Sequence, residues 1–294
     1  MRPLLDFIPL AQFVFCFSIA LFALSSLGYL LYRQSKTRER LISIPIFINI
    51  VSWIVTASFD LTYTSSSMFS WLTYGVNATM LFWTGATFFA GTTAVSLSVF
   101  FLLLDRCFIL IGPKWLNERS KRRLYKVNAV CVAADFIIVL TLFIAFEKAD
   151  IVDTRCQTFS CVTVGKARTL NIIRMFYGSL NTVLASVFAV LLHRYNRKRD
   201  HSSNYSSSSR SNIIAGINVL SQILFNFLPN LAAFIALECF GVALSSSSGP
   251  VVSTFSQIDA LCTTIVYLKV VGERVLRKKI TSSVMPTTVI TSRY

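Results

Sequence analysis

Apolar residues in this chain come in long unbroken runs, and polar residues gather in short stretches between them. The runs lie near Phe7–Tyr32, Leu41–Tyr63, Val76–Leu104, Val127–Phe146, Met175–Leu192, Ile213–Leu237 and Val251–Val271. Each is about 18 to 29 residues long, and a bilayer crossing needs about 20 residues of α-helix. The pattern predicts an all-α membrane protein, a bundle of seven transmembrane helices. The intervening loops are short, no segment repeats, and no soluble domain is inserted. Residues 1–294 therefore read as one membrane domain, with a tail from residue 272. The first run, at about 26 residues, exceeds the apolar core of a cleavable signal peptide and reads as a retained first helix.

Composition agrees with this class. Hydrophobic residues make up 54% of the chain and charged residues only 14%. A soluble domain carries about 25% charged residues to cover its surface. The net charge of +15 is no nucleic-acid signature, because the basic residues cluster between the apolar runs. Their distribution instead orients the bundle. The first, third and fifth connections and the end of the seventh run with the tail hold 4, 7, 5 and 6 lysines and arginines, 22 of the 28. Basic residues concentrate on the cytoplasmic side of membrane proteins. The N-terminus is thus expected outside and the C-terminus in the cytoplasm, where the basic face suits anionic lipid. The segment from Glu147 to Arg174 becomes the longest outer loop, a candidate lid.

Charges inside the runs are costly, roughly 2.5–3.5 kcal/mol at mid-helix, and so mark candidate sites. Asp259, about two turns into the seventh run, is expected to line a ligand cavity or to partner a polar side chain on a neighbouring helix. Arg174, at the outer start of the fifth run, is expected to meet a lid acid or a ligand, or to snorkel to the membrane surface. Asp60 falls near the predicted outer end of the second run, where water reaches it, and Asp135 suits a packing hydrogen bond in the fourth. Lys269 falls at the cytoplasmic end of the seventh run, too far along to hold a chromophore, and reads as an anchor. Of the seven cysteines, Cys156, Cys161 and Cys239 face the oxidising side. They allow one disulfide: Cys156 to Cys161 staples the lid to itself, and a bond to Cys239 ties the lid to the mouth of helix six. Both pairings stand. Val271 to Ile280 mixes apolar and basic residues in a pattern that suits a short helix lying on the inner leaflet.

The third run ends in Leu104-Asp105-Arg106-Cys107, and Pro113 follows eight residues after the Asp. This resembles the rhodopsin-like G-protein-coupled receptors, whose third helix ends in Asp-Arg-Tyr with a proline at that spacing. Asn226-Phe227-Leu228-Pro229 resembles the family's Cys-Trp-x-Pro, with Phe227 at the Trp position and Pro229 at the kink. Thr263-Thr264-Ile265-Val266-Tyr267 keeps only the tyrosine of Asn-Pro-x-x-Tyr. No tryptophan marks the fourth run, no proline the fifth, and no cysteine tops the third. This divergent set, with its basic second inner loop and Ser-rich stretch, is similar to the nematode serpentine chemoreceptors, class bc being the candidate subclass.

The resemblance implies a chemosensory receptor at the plasma membrane, in sensory cilia, with a small-molecule chemical ligand and a heterotrimeric G protein as partners, and no cofactor, metal or nucleic acid. It implies that Asp105 and Arg106, with Pro113, form the coupling switch, and that Phe227 and Pro229 form the helix-six hinge. The physical rationale is general: a guanidinium at the mouth of a bundle pairs with its neighbouring acid at rest and with a docking partner when the helices part. The rival is a multi-pass transporter or channel, but the halves do not repeat and only Asp259 and Asp135 offer a polar path. No enzyme motif appears; both histidines, His193 and His201, fall in one inner loop.

Overall fold

The computed structural model describes residues 2–36, 42–73, 78–112, 118–145, 159, 167–199, 208–241 and 251–283. Among these residues the regular structure is entirely helical. The helices are α1 (Arg2–Lys36), α2 (Ile44–Thr73), α3 (Ala78–Ile111), α4 (Glu118–Ile144), α5 (Ala167–Arg199), the composite α6 and α7 (Val251–Ser283). In α6, an α-helix over Ser208–Gln222 passes through a π-helical turn, Ile223–Phe227, into a second α-helix, Leu228–Phe240. Six of these helices, α1 to α6, are long and apolar enough to cross a membrane. α7 is not among the six; it carries Ser256, Gln257, Asp259, Thr263 and Thr264 buried against its neighbours.

The outward faces support a lipid environment. Val130, Ile137, Ile144 and Val183 are each at least 60% exposed. In water such a belt would favour aggregation, whereas hydrocarbon chains solvate it. α3 is the axle of the bundle, packed against α2, α4, α5 and α6. α1 packs on α2 and α7, and α7 also meets α6.

Several helices outrun the predicted spans. α2 continues ten residues past Tyr63 to Thr73. The run Thr64-Ser65-Ser66-Ser67 reads as a helix end, but each hydroxyl donates to the carbonyl four residues back, at 2.6–2.9 Å. A self-satisfied hydroxyl is tolerated inside a membrane helix. Asp60 is consequently not at a wet helix end: it is fully buried, and neither carboxylate oxygen is hydrogen-bonded to a described residue. The separate surface helix expected over residues 271–280 is likewise absent, because α7 runs unbroken to Ser283. Gly241 ends α6 in the left-handed conformation (φ 66°), its N–H donating to the Leu237 carbonyl at 3.1 Å.

Two apolar cores fill the bundle. One is largely aliphatic and gathers Leu27, Ile50, Val99, Leu102, Leu103 and Val219. The other is aromatic and gathers Phe13, Tyr63, Phe82, Phe88, Phe89 and Phe143. In α3 the aromatic cluster draws on Leu81 to Ala90 and the aliphatic one on Val95 to Cys107, so Thr92 and Thr93 fall at the junction.

Candidate functional site

At its last turns α3 holds Asp105 and Arg106. The Arg106 Nη2 lies 2.8 Å from Asp105 Oδ2, and the side chains are 7% and 1% exposed. Nη2 also donates to Ser43 Oγ, at 3.4 Å, just before α2. Removing one member of a buried pair strands the other charge. A second partner able to take the guanidinium would therefore compete directly with Asp105. Gly112 follows in a positive-φ conformation (148°) that suits glycine, while Pro113 lies outside the described residues.

Around the junction of the two cores lies a buried polar layer. Its centre is a cavity between α3, α5 and α6, with a volume of about 10 Å³ open to the centre of a water molecule, room for about one water. α3 contributes Thr92, Thr93 and Ser96; α5 contributes Arg174, Tyr177, Gly178 and Asn181; α6 contributes Gln222, Ile223, Asn226 and Phe227. Arg174 points into the bundle and does not snorkel. Its Nη1 donates to Asn230 Oδ1 at 3.3 Å, and its guanidinium carbon sits 4.4 Å from the Phe89 ring centre.

Asp259 is fully buried and does not line the cavity, but it is one side chain removed. Ser221 Oγ and Gln222 Nε2 donate to its two oxygens, each at 2.5 Å. Gln222 Oε1 accepts from Ser96 at 3.2 Å and from Asn226 Nδ2 at 3.4 Å. Asn230 Nδ2 donates to Asn226 Oδ1 at 2.9 Å. A hydrogen-bonded row thus runs from Asp259 through Gln222, Asn226 and Asn230 to Arg174, the two charged residues singled out in the sequence. The helical spacing of 222, 226 and 230 puts the amides on one face. Asp135 is also engaged, accepting from the Tyr177 hydroxyl.

The same row crosses the irregular part of α6. The Leu228 N–H reaches back five residues to the Ile223 carbonyl, the π-type bond. Pro229 follows at the second position of the next helix, with no N–H for the Phe225 carbonyl. Phe227 closes the π-helical turn, and Pro229 follows it. Gly178 makes room for it: a Cβ there would lie 2.3 Å from Phe227 Cδ2. On the aromatic side Phe159 packs on Phe82 and Phe143. Its N–H donates to the Tyr63 hydroxyl at 3.2 Å, and a Cβ on Gly85 would meet its ring at 2.3 Å. Phe159 comes from the segment read as a lid. Cys156 and Cys161 of that segment lie outside the described residues, and Cys239 is exposed near the end of α6.

A second network lies deeper in the aliphatic core. The Tyr267 hydroxyl donates to Asn49 Oδ1 at 2.6 Å and accepts from Asn218 Nδ2 at 2.8 Å, and Asn49 Nδ2 donates to Ser98 Oγ at 2.7 Å. Four helices, α2, α3, α6 and α7, meet at this point. Tyr267 stands out in the sequence; Asn49, Ser98 and Asn218 do not. Nor do Thr92, Ser96, Tyr177 and Asn181. The signal that could have found them is polar residues repeating at helical spacing inside apolar runs: Tyr177 with Asn181, and Gln222 with Asn226 and Asn230. No protein-family model matches the chain, and no curated protein matches it.

Proposed function

We propose that this chain is a G-protein-coupled chemosensory receptor of the nematode serpentine kind, in the plasma membrane of sensory cilia. α7 serves as the seventh span, the N-terminus faces outside, and the Asp105 end of the bundle faces the cytoplasm. The reading is carried by one observation, a buried Asp105–Arg106 ion pair near the end of the central helix, and it is supported by the basic residues clustered in the connections expected on that side.

In this reading a small molecule enters between the helices at the Phe159 end and binds the polar layer. It shifts the bundle only by its difference in affinity for two arrangements. The π-helical turn and Pro229 let the Asp105-side half of α6 swing while the other half holds the ligand. The swing opens the bundle beside Arg106, which exchanges Asp105 for the α subunit of a heterotrimeric G protein. The row Gln222–Asn226–Asn230 lies along the moving helix, and so couples the cavity to the hinge.

The test is heterotrimer dissociation in transfected cells exposed to a pool of small metabolites, with ion and substrate flux recorded in parallel. A ligand-dependent dissociation supports the proposal. Flux without dissociation replaces it with a transporter or channel. A tag on Tyr294 reached by antibody in unpermeabilised cells contradicts the orientation.

A further inference from the structure

Arg174 is a cation without a counter-ion among the described residues. Among the described residues no carboxylate lies within ion-pair distance of it. The acids within the bundle are otherwise disposed: Asp259 is held by Ser221 and Gln222, and Asp135 by Tyr177. Asp60 forms no hydrogen bond or ion pair with Arg174. Of the five guanidinium N–H groups, one has a described acceptor, the neutral Asn230 amide, and the guanidinium lies over the Phe89 ring. A guanidinium turned into a helix bundle is expected to have a partner. Beside it are the hydroxyls of Thr92 and Tyr177 and the amide of Asn181.

We propose that the cavity binds small organic acids, the ligand's carboxylate pairing with Arg174. A guanidinium presents parallel N–H groups that match the two oxygens of a carboxylate. The cavity has room for about one water, less than a carboxylate fills, so binding requires the helices around it to part. Pairing draws the guanidinium from Asn230, which releases one end of the row leading along α6 to Asp259.

This inference takes the cavity from the receptor reading and names its ligand class, but its test needs no G protein. The full chain, purified in detergent, is heated with sodium salts of straight-chain monocarboxylates from acetate to octanoate. Sodium chloride at equal ionic strength and the matching neutral amides are the controls. At a concentration about 100-fold above the dissociation constant, the best acid is expected to raise the unfolding midpoint by about 5 °C or more. Its amide and chloride should leave the midpoint unmoved. Arg174→Gln should lose the shift, and Arg174→Lys, which keeps the charge without the fork, should retain a smaller one. Should Arg174→Gln fail to fold, the contrast between acid and amide on the wild type still decides. No shift with any acid, an equal shift with the amides or chloride, or a shift that survives Arg174→Gln overturns the proposal. Each of those results leaves coupling through Arg106 untouched, and a failure of coupling leaves acid binding untouched.

Discussion

Tyr267→Phe removes one oxygen atom from the deepest point where four helices meet. The side chain is fully buried, and the hydroxyl makes two bonds, to Asn49 at 2.6 Å and from Asn218 at 2.8 Å. Phenylalanine keeps the ring and its packing, so the change isolates the polar part. Hydrogen bonds inside membrane proteins average about 0.6 kcal/mol and reach about 1.7 kcal/mol. Two such bonds give a loss of about 1–2 kcal/mol, with Asn49 Oδ1 and Asn218 Nδ2 left unpaired in an apolar core. The assay is reversible unfolding in mixed detergent micelles, followed by helical circular dichroism. A cycle with Asn49→Ala separates the shared bond from the Asn49–Ser98 bond, which that variant also loses. The coupling energy should be about 0.6 kcal/mol or more. A Tyr267→Phe variant within about 0.3 kcal/mol of wild type, or a coupling of zero, would refute the idea that this network joins the helices.

Further outcomes follow from the close contacts. Gly85→Ala places a methyl 2.3 Å from the Phe159 ring, so it should cost about 1–3 kcal/mol by overpacking. It should also raise protease cleavage near residue 159, and it should cost less in a Phe159→Ala background. Gly178→Ala sets a Cβ 2.3 Å from Phe227; it should destabilise by a similar amount, and less in a Phe227→Ala background. Asp259→Asn removes one of two acceptors that take hydrogen bonds at 2.5 Å. It should cost about 1–3 kcal/mol in the same micelle assay, whereas Asp259→Glu, which keeps both acceptors on a longer stem, should cost less. Pro229→Ala restores a backbone N–H beside the π-helical turn and should stiffen α6, seen as slower amide exchange at residues 223–229.

How much of this was open to sequence reading depends on how local each signal is. The apolar runs mark the helices because a membrane span is a property of about 20 neighbouring residues. Their ends are less legible: serines and threonines read as helix breakers in water, yet α2 absorbs Thr64 to Ser67 by bonding them to its own carbonyls. Asp60 was misplaced for that reason. Arg106 beside Asp105 and the proline of α6 are local motifs, and both fall at structurally distinctive points. The cavity is not local. Thr92, Asn181 and Gln222 come from three helices, and no pattern in one run says which polar residue on another it will face. Arg174 is visible as a charge at the start of an apolar run, but its approach to Phe89 and Asn230 comes from how α3, α5 and α6 pack.

The central claim is that the Asp105–Arg106 pair restrains a bundle able to engage a G protein, and basal signalling tests it without a ligand. Asp105→Asn, Arg106→Ala and the double variant are compared with wild type in cells, by spontaneous dissociation of a co-expressed heterotrimer at matched surface expression. Asp105→Asn frees the guanidinium, so its basal dissociation should rise above wild type. The rise should vanish in the double variant, because Arg106 is the group released. Basal dissociation identical in Asp105→Asn and wild type, or a rise that persists without Arg106, would contradict the account.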